Sequence, residues 1–145
     1  MNVRGYTTMI IPVLLIVVFI GLAIIHIYWA FGGNLGKSAA LPEIDGKPLF
    51  LPSAPLTFLV SGLLLICALF ITVLANWVAL PVTHKLTTGL GVLLAAVFAM
   101  RAIGNFKYVG FFKRVKGTRF ARLDTLVYSP LCLLISAGVL FVILR

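Results

Sequence analysis

Four apolar runs, each close to the thickness of a bilayer's hydrocarbon core, govern what this chain can fold into. A spanning helix needs about 20 consecutive apolar residues, and residues 9–31, 56–80, 86–103 and 125–144 approach or exceed that length. Of the 145 residues, 62% are hydrophobic and only 10% charged, whereas soluble domains are about 25% charged. A soluble fold this small could not bury so much apolar surface, but lipid can solvate it. The expectation is an all-α, integral membrane four-helix bundle. Residues 1–145 form a single transmembrane domain, with interfacial connections at 32–55 and 106–124. No small-residue cleavage site follows the first run, so it reads as a span and not as a removable leader.

Local signals punctuate these runs. Pro12 sits near the start of the first span, where a missing N–H does little harm. Tyr28 and Trp29 suit an interfacial aromatic belt, and Gly32-Gly33-Asn34 breaks the helix. The first connection carries Pro42, Pro48, Pro52 and Pro55. Asp45-Gly46 predicts a tight turn, and the apolar Leu49-Phe50-Leu51 suggests a loop folded back onto the membrane surface. Gly91, Ala95 and Ala99 place small residues on one face of the third span, allowing a neighbouring helix close approach. Ser129-Pro130 predicts a kink near Leu126 in the fourth. Spans one and three both end in Gly-Asn, an echo that two hairpins in parallel repeat would produce and chance would too. Cys67 and Cys132 form no C-x-x-C pair and read as small apolar packing residues.

Charge is distributed unevenly. The formal net charge is +9, from 12 Lys+Arg against 3 Asp+Glu. Half of those cations, Lys107, Lys113, Arg114, Lys116, Arg119 and Arg122, fall in the 106–124 connection, interleaved with Phe106, Phe111, Phe112 and Phe120. That mixture suits a segment lying in the headgroup layer, although Gly110 and Gly117 interrupt any single amphipathic helix. Its expected partners are membrane lipids with anionic headgroups, not nucleic acid. Adding Lys37 and Lys47 of the first connection, the positive-inside rule puts both long connections in the cytoplasm and both termini outside. Arg4, Lys85 and Arg145 are the basic residues of the outer side.

Polar groups within or beside spans are the candidates for function, because a charge near the bilayer centre costs about 2.5–3.5 kcal/mol on insertion scales. Chain direction brings His26, Trp29, Arg101, Asn105, Asp124 and Tyr128 to the same membrane level, and they are the expected lining of one interfacial pocket. Each also has a plainer role. Asp124 is a good N-cap for the fourth span, Arg101 can snorkel or partner Asp124, His26 can be a packing histidine, and Tyr128 an interface aromatic. His26 and His84 lie at opposite faces, so no two-histidine metal site can form within the chain. No phosphate-loop or other cofactor motif is present.

The segment from Ile25 to Gly33, Arg101 with Gly104, Thr118-Arg119-Phe120, and Asp124 followed by Tyr128-Ser129-Pro130-Leu131-Cys132 resemble a domain-of-unknown-function family, number 3995 in that series, of small bacterial membrane proteins with four predicted spans. The resemblance covers nearly the whole chain. It implies the four-span fold and a bacterial inner-membrane location. It implies no activity and no catalytic residue.

The residues themselves favour a membrane protein with an interfacial pocket for a lipid-like amphiphile. Arg101 would hold an anionic group, Asp124 would orient Arg101, and His26 and Tyr128 would supply hydrogen bonds or proton transfer. A structural or regulatory subunit, self-associating or packed on a partner membrane protein through small-residue faces, is the first rival. A small transporter is the second, but Glu43, Asp45 and Asp124 are the only acids and none lies deep in a span. The orientation is directly checkable. A cysteine placed at Lys116 in a background lacking Cys67 and Cys132 is expected to resist impermeant maleimide on intact cells and to react after lysis. Labelling from outside would reverse the topology.

Overall fold

The computed structural model describes residues 3–44 and 46–145; Asp45, half of the expected tight turn, lies outside the described residues. Helix α1 (Val3–Ala30) is followed by a short helix α2 (Lys37–Ala40) and a two-stranded ribbon, β1 (Glu43–Ile44) and β2 (Lys47–Pro48). The strands are antiparallel, with Glu43 opposite Pro48 and Ile44 opposite Lys47. Helices α3 (Ala54–Leu74) and α4 (His84–Ile103) follow, then α5 (Arg119–Leu123), a π-helical turn (Asp124–Tyr128) and α6 (Ser129–Leu144). Four stretches are long and apolar enough to cross a membrane: Tyr6–Ala30, Ala54–Leu74, His84–Ile103 and Arg119–Leu144. The chain is an all-helical integral membrane bundle.

Helix limits differ from the apolar runs for local reasons. α1 begins before the run does, so Pro12 falls inside the helix and not in its first turn. Proline cannot donate to the carbonyl four residues back, which here belongs to Thr8, and that carbonyl accepts from the Arg145 guanidinium. The same guanidinium donates to the Ala75 carbonyl at 2.7 Å, tying the ends of α1, α3 and α6 together. α3 stops at Leu74 although apolar residues continue to Leu80. Asn76 adopts a left-handed φ of 58°, the Trp77 N–H reaches Thr72 and the Asn76 N–H reaches Val73. That pattern closes a helix with its last carbonyls satisfied, and asparagine is one of the few side chains that tolerates it.

The spans pair as two hairpins, α1 against α3 and α4 against α6, which meet mainly where α1 faces α6. Both long connections therefore lie at one end, and the 75–83 turn lies at the other with the first residues of α1 and the last of α6. Leu15, Phe19, Ala68, Ile71, Ala95, Ile135 and Val139 form the buried core, and the Phe19 and Phe98 rings meet at 5.6 Å between centroids. Leucine, isoleucine and valine cover the outside, as lipid solvent permits. With lipid on that side, burying apolar area gains little and close packing must hold the helices. The small-residue face of α4 provides it. Gly91 and Ala95 are buried, Ala99 is half-buried, and the Ser136 hydroxyl of α6 donates to the Ala95 carbonyl at 2.8 Å.

A side chain at Gly91 would meet Ile143 at 2.9 Å, whereas one at Gly89, two residues earlier on the same helix, would meet nothing within 4 Å. Gly91→Val is therefore expected to lower stability in detergent by about 1–3 kcal/mol, as overpacking does. Gly89→Val should stay within about 0.5 kcal/mol, as surface changes do. Thermal unfolding of the two variants beside the unaltered chain checks the difference.

Candidate functional site

The end of the bundle that carries the long connections is organised around one carboxylate. Pro130 has no N–H for the Leu126 carbonyl and its ring would crowd it. The backbone responds with one wide turn, in which the Ser129 N–H reaches back to the Asp124 carbonyl. Where a kink is expected near Leu126 the chain makes this wide turn, and the helix continues towards its N-terminus as far as Arg119. Such wide turns occur frequently at functional sites. Here the turn holds Asp124 fully buried, at 0% exposure.

Three donors from three places in the chain converge on that carboxylate. The Arg101 Nη2, from the last turn of α4, meets Oδ1 at 2.9 Å. The Gly110 N–H donates to Oδ2 at 2.7 Å, and Lys113 Nζ meets the same oxygen at 3.0 Å. Lys113 also donates to the Gly110 carbonyl at 2.9 Å and to the Thr125 hydroxyl at 2.6 Å, so all three ammonium protons are taken. Its side chain is 2% exposed. Buried cations are tolerated only when paired and fully hydrogen-bonded, and this one is both.

The loop that delivers Gly110 and Lys113 is built on two glycines and an asparagine. Gly104 ends α4 at φ 87°, and Gly110 has φ 93°. Their backbones touch. A Cβ on Gly104 would sit 1.7 Å from the Val109 carbonyl oxygen, and one on Gly110 would sit 2.3 Å from that of Ile103. No side chain fits at either. The Asn105 Oδ1 accepts the backbone N–H groups of Lys107, Tyr108 and Val109 at 3.1, 2.8 and 3.1 Å. The Phe111 N–H then returns to the Ala102 carbonyl at 2.9 Å.

The first connection docks on this assembly. Glu43 Oε1 accepts the Arg119 N–H at 2.9 Å while the Thr118 hydroxyl accepts that of Ala121 at 3.0 Å, giving α5 two N-terminal caps. The Tyr128 hydroxyl donates to the Ala39 carbonyl at 3.2 Å, and its ring lies 6.1 Å from that of Phe120.

The six residues singled out from the sequence thus hold three kinds of contact. Arg101 and Asp124 are joined, and Tyr128 stands in the same π turn, tied to α2. Asn105 is committed to its own loop. His26 and Trp29 form an edge-on ring pair at 5.1 Å, with His26 Nδ1 on the Leu22 carbonyl at 2.7 Å and Trp29 Nε1 on the Leu35 carbonyl at 2.8 Å. No described contact joins that pair to Asp124. Sequence reasoning missed Lys113 and Glu43. A single carboxylate embedded in a run of cations was the available signal that one of them would turn inward. Among the described residues, no three His, Cys, Asp or Glu side chains gather as a metal site would need.

Of the cavities among the described residues, two lie at the flanks of the bundle, and neither is lined by any of those six residues. One of about 380 Å³ lies beside α5 and the π turn, with Phe111, Lys113, Lys116, Arg122, Thr125 and Leu126 in its wall. The other, about 270 Å³, lies at the opposite end between Asn76, His84, Thr88 and Arg145.

If Asp124 is the hub, Arg101→Ala and Asp124→Ala should not add. A double-mutant cycle on unfolding in detergent is expected to show coupling of about 1 kcal/mol or more. Asp124→Ala alone, which strands Lys113 without an acid, should cost on the order of 3–5 kcal/mol. Additive effects would place the two residues in separate roles.

No curated protein and no solved structure matches the chain. A family model described as "Protein of unknown function (DUF3995)" matches residues 19–139, from the middle of α1 to the middle of α6. That interval takes in the loop glycines, the buried ion cluster and both docked connections, and the chain belongs to this family.

Proposed function

We propose that this protein binds an anionic amphiphile, lipid or lipid-like, at the end of the bundle that carries the long connections. One observation carries the reading. The cluster around Asp124 holds two cations and one anion, and the Arg101 Nη1 is shielded from solvent with no acceptor among the described residues. A buried donor without a partner costs about 1–3 kcal/mol, and more when charged. An anionic headgroup arriving beside Arg101 would accept that hydrogen bond and balance the surplus charge, while Asp124 keeps the guanidinium oriented through Nη2. The rest of the Arg101 side chain is 35% exposed, so a headgroup can approach it, and a small shift of the guanidinium would bring Nη1 to the ligand. Tyr128 and the His26–Trp29 pair would border the approach from the headgroup layer.

The surroundings favour the same ligand class. Lys107, Arg114, Lys116, Arg119 and Arg122 are exposed on the same end. Each would contribute about 1 kcal/mol of attraction to a negative leaflet. We place that end at the cytoplasmic face of a bacterial inner membrane, where the positive-inside bias and an anionic leaflet coincide. Between the two ends the interior is filled by Phe19, Ile71, Ile135 and Val139, all fully buried, which supports binding over conduction.

Native mass spectrometry of the protein released gently from membranes tests the proposal. The unaltered chain should carry anionic lipid, and Arg101→Gln should lose at least tenfold of that adduct while keeping its helical circular dichroism. Equal adducts on both proteins, or a stoichiometric partner protein in place of lipid, would overturn it.

A further inference from the structure

The cavity of about 380 Å³ beside α5 has a chemistry of its own, and Arg101 takes no part in its wall. We infer that it is a second binding site, built for a phosphate monoester. Its size is within the range of small-ligand sites. Lys116 and Arg122 line it and are exposed, and neither has an acidic partner among the described residues. Lys113 forms part of the wall with all its protons committed and its charge paired with Asp124, so it offers a ligand no hydrogen bond. Thr125 is likewise committed, accepting from Lys113 and donating to the Ala121 carbonyl at 3.2 Å.

Two cations without an acidic partner among the described residues, facing one cavity, favour a group carrying more than one negative charge. A phosphate monoester carries about −1.5 to −2 at neutral pH. A diester carries one. Arginine can engage such a group through two parallel hydrogen bonds, and lysine adds a mobile point charge. The remaining wall is apolar, with Phe111 and Leu126 both exposed and both lining the cavity. Leu126 belongs to the membrane-crossing stretch, so the cavity opens where headgroup meets chain. The same chemistry would accept a phosphomonoester lipid or a soluble phosphate.

The test titrates the full chain in dodecyl maltoside with dioctanoyl phosphatidic acid, dioctanoyl phosphatidylglycerol and inorganic phosphate, reading thermal stability and lipid-adduct mass. Phosphatidic acid should bind at least tenfold more tightly than the diester. Lys116→Ala with Arg122→Ala should remove most of that preference. Lys37→Ala with Lys47→Ala takes away the same charge from the other long connection, outside the cavity, and should change affinity less than threefold. Competition by inorganic phosphate would make the site one for soluble phosphates too, and indifference to it would assign the site to lipid. Equal affinity for monoester and diester, or equal losses in the two double variants, would overturn the inference and leave only general surface attraction.

Discussion

A carboxylate shielded from water must have donors brought to it, and Asp124 draws them from the last turn of α4, from a loop backbone and from a buried lysine. Each donor fixes a different part of the end of the bundle that carries the long connections. Arg101 registers α4 against the start of the last helical run, and the Gly110 N–H pins the glycine-closed loop. Lys113 holds the rest of that connection down on the same oxygen. The docking of the first connection depends on this arrangement too, since Glu43 and Tyr128 both bond across the α5–π-turn segment that Asp124 anchors. Buried ion clusters are weak contributors to net stability compared with apolar packing. Their value here is conformational, because other placements of this loop would leave charges unpaired in a low-dielectric setting.

The rest of the molecule obeys a solvent that offers no hydrogen bonds and little reward for apolar burial. That is why the contacts within the α4–α6 hairpin are small residues and one hydroxyl, Ser136 on Ala95. It is also why the helix ends are closed so completely. Asn76 in its left-handed turn, Arg145 on two carbonyls and Thr118 with Glu43 on α5 each satisfy backbone groups that lipid would leave bare.

The four spans could be read from the sequence because their length and apolarity are set by the bilayer, and the residues of the α4 small face could be read from their spacing. The pairing of Arg101 with Asp124 followed from chain direction and from the rarity of acids. What was hidden depended on backbone conformation or on tertiary choice. The apolar run to Leu80 conceals that Asn76 ends α3 earlier. The basic residues before Asp124 look alike on the page, yet Lys113 is buried while Lys116 stays out. Arg119 to Leu123 reads as loop because its helix relies on Glu43, far away in sequence, for one of its caps. His26 and Trp29 share a membrane level with Arg101, but level alone does not set the face of a helix, and their contacts are with their own segment.

The π turn has a consequence for phase. An α-helix advances about 100° per residue, so a turn that closes through five residues instead of four offsets everything upstream by roughly one residue's rotation. Phe120 and Ala121 are thereby buried beneath the first connection, while Ile135 and Val139 downstream face the core. One straight helix would not keep both stretches on these bearings. The turn acts as an index mark between two gears. A chain that lost a single residue from 124–128 would keep its composition, its hydropathy and its four spans, yet its last helix would turn a different face to the loops.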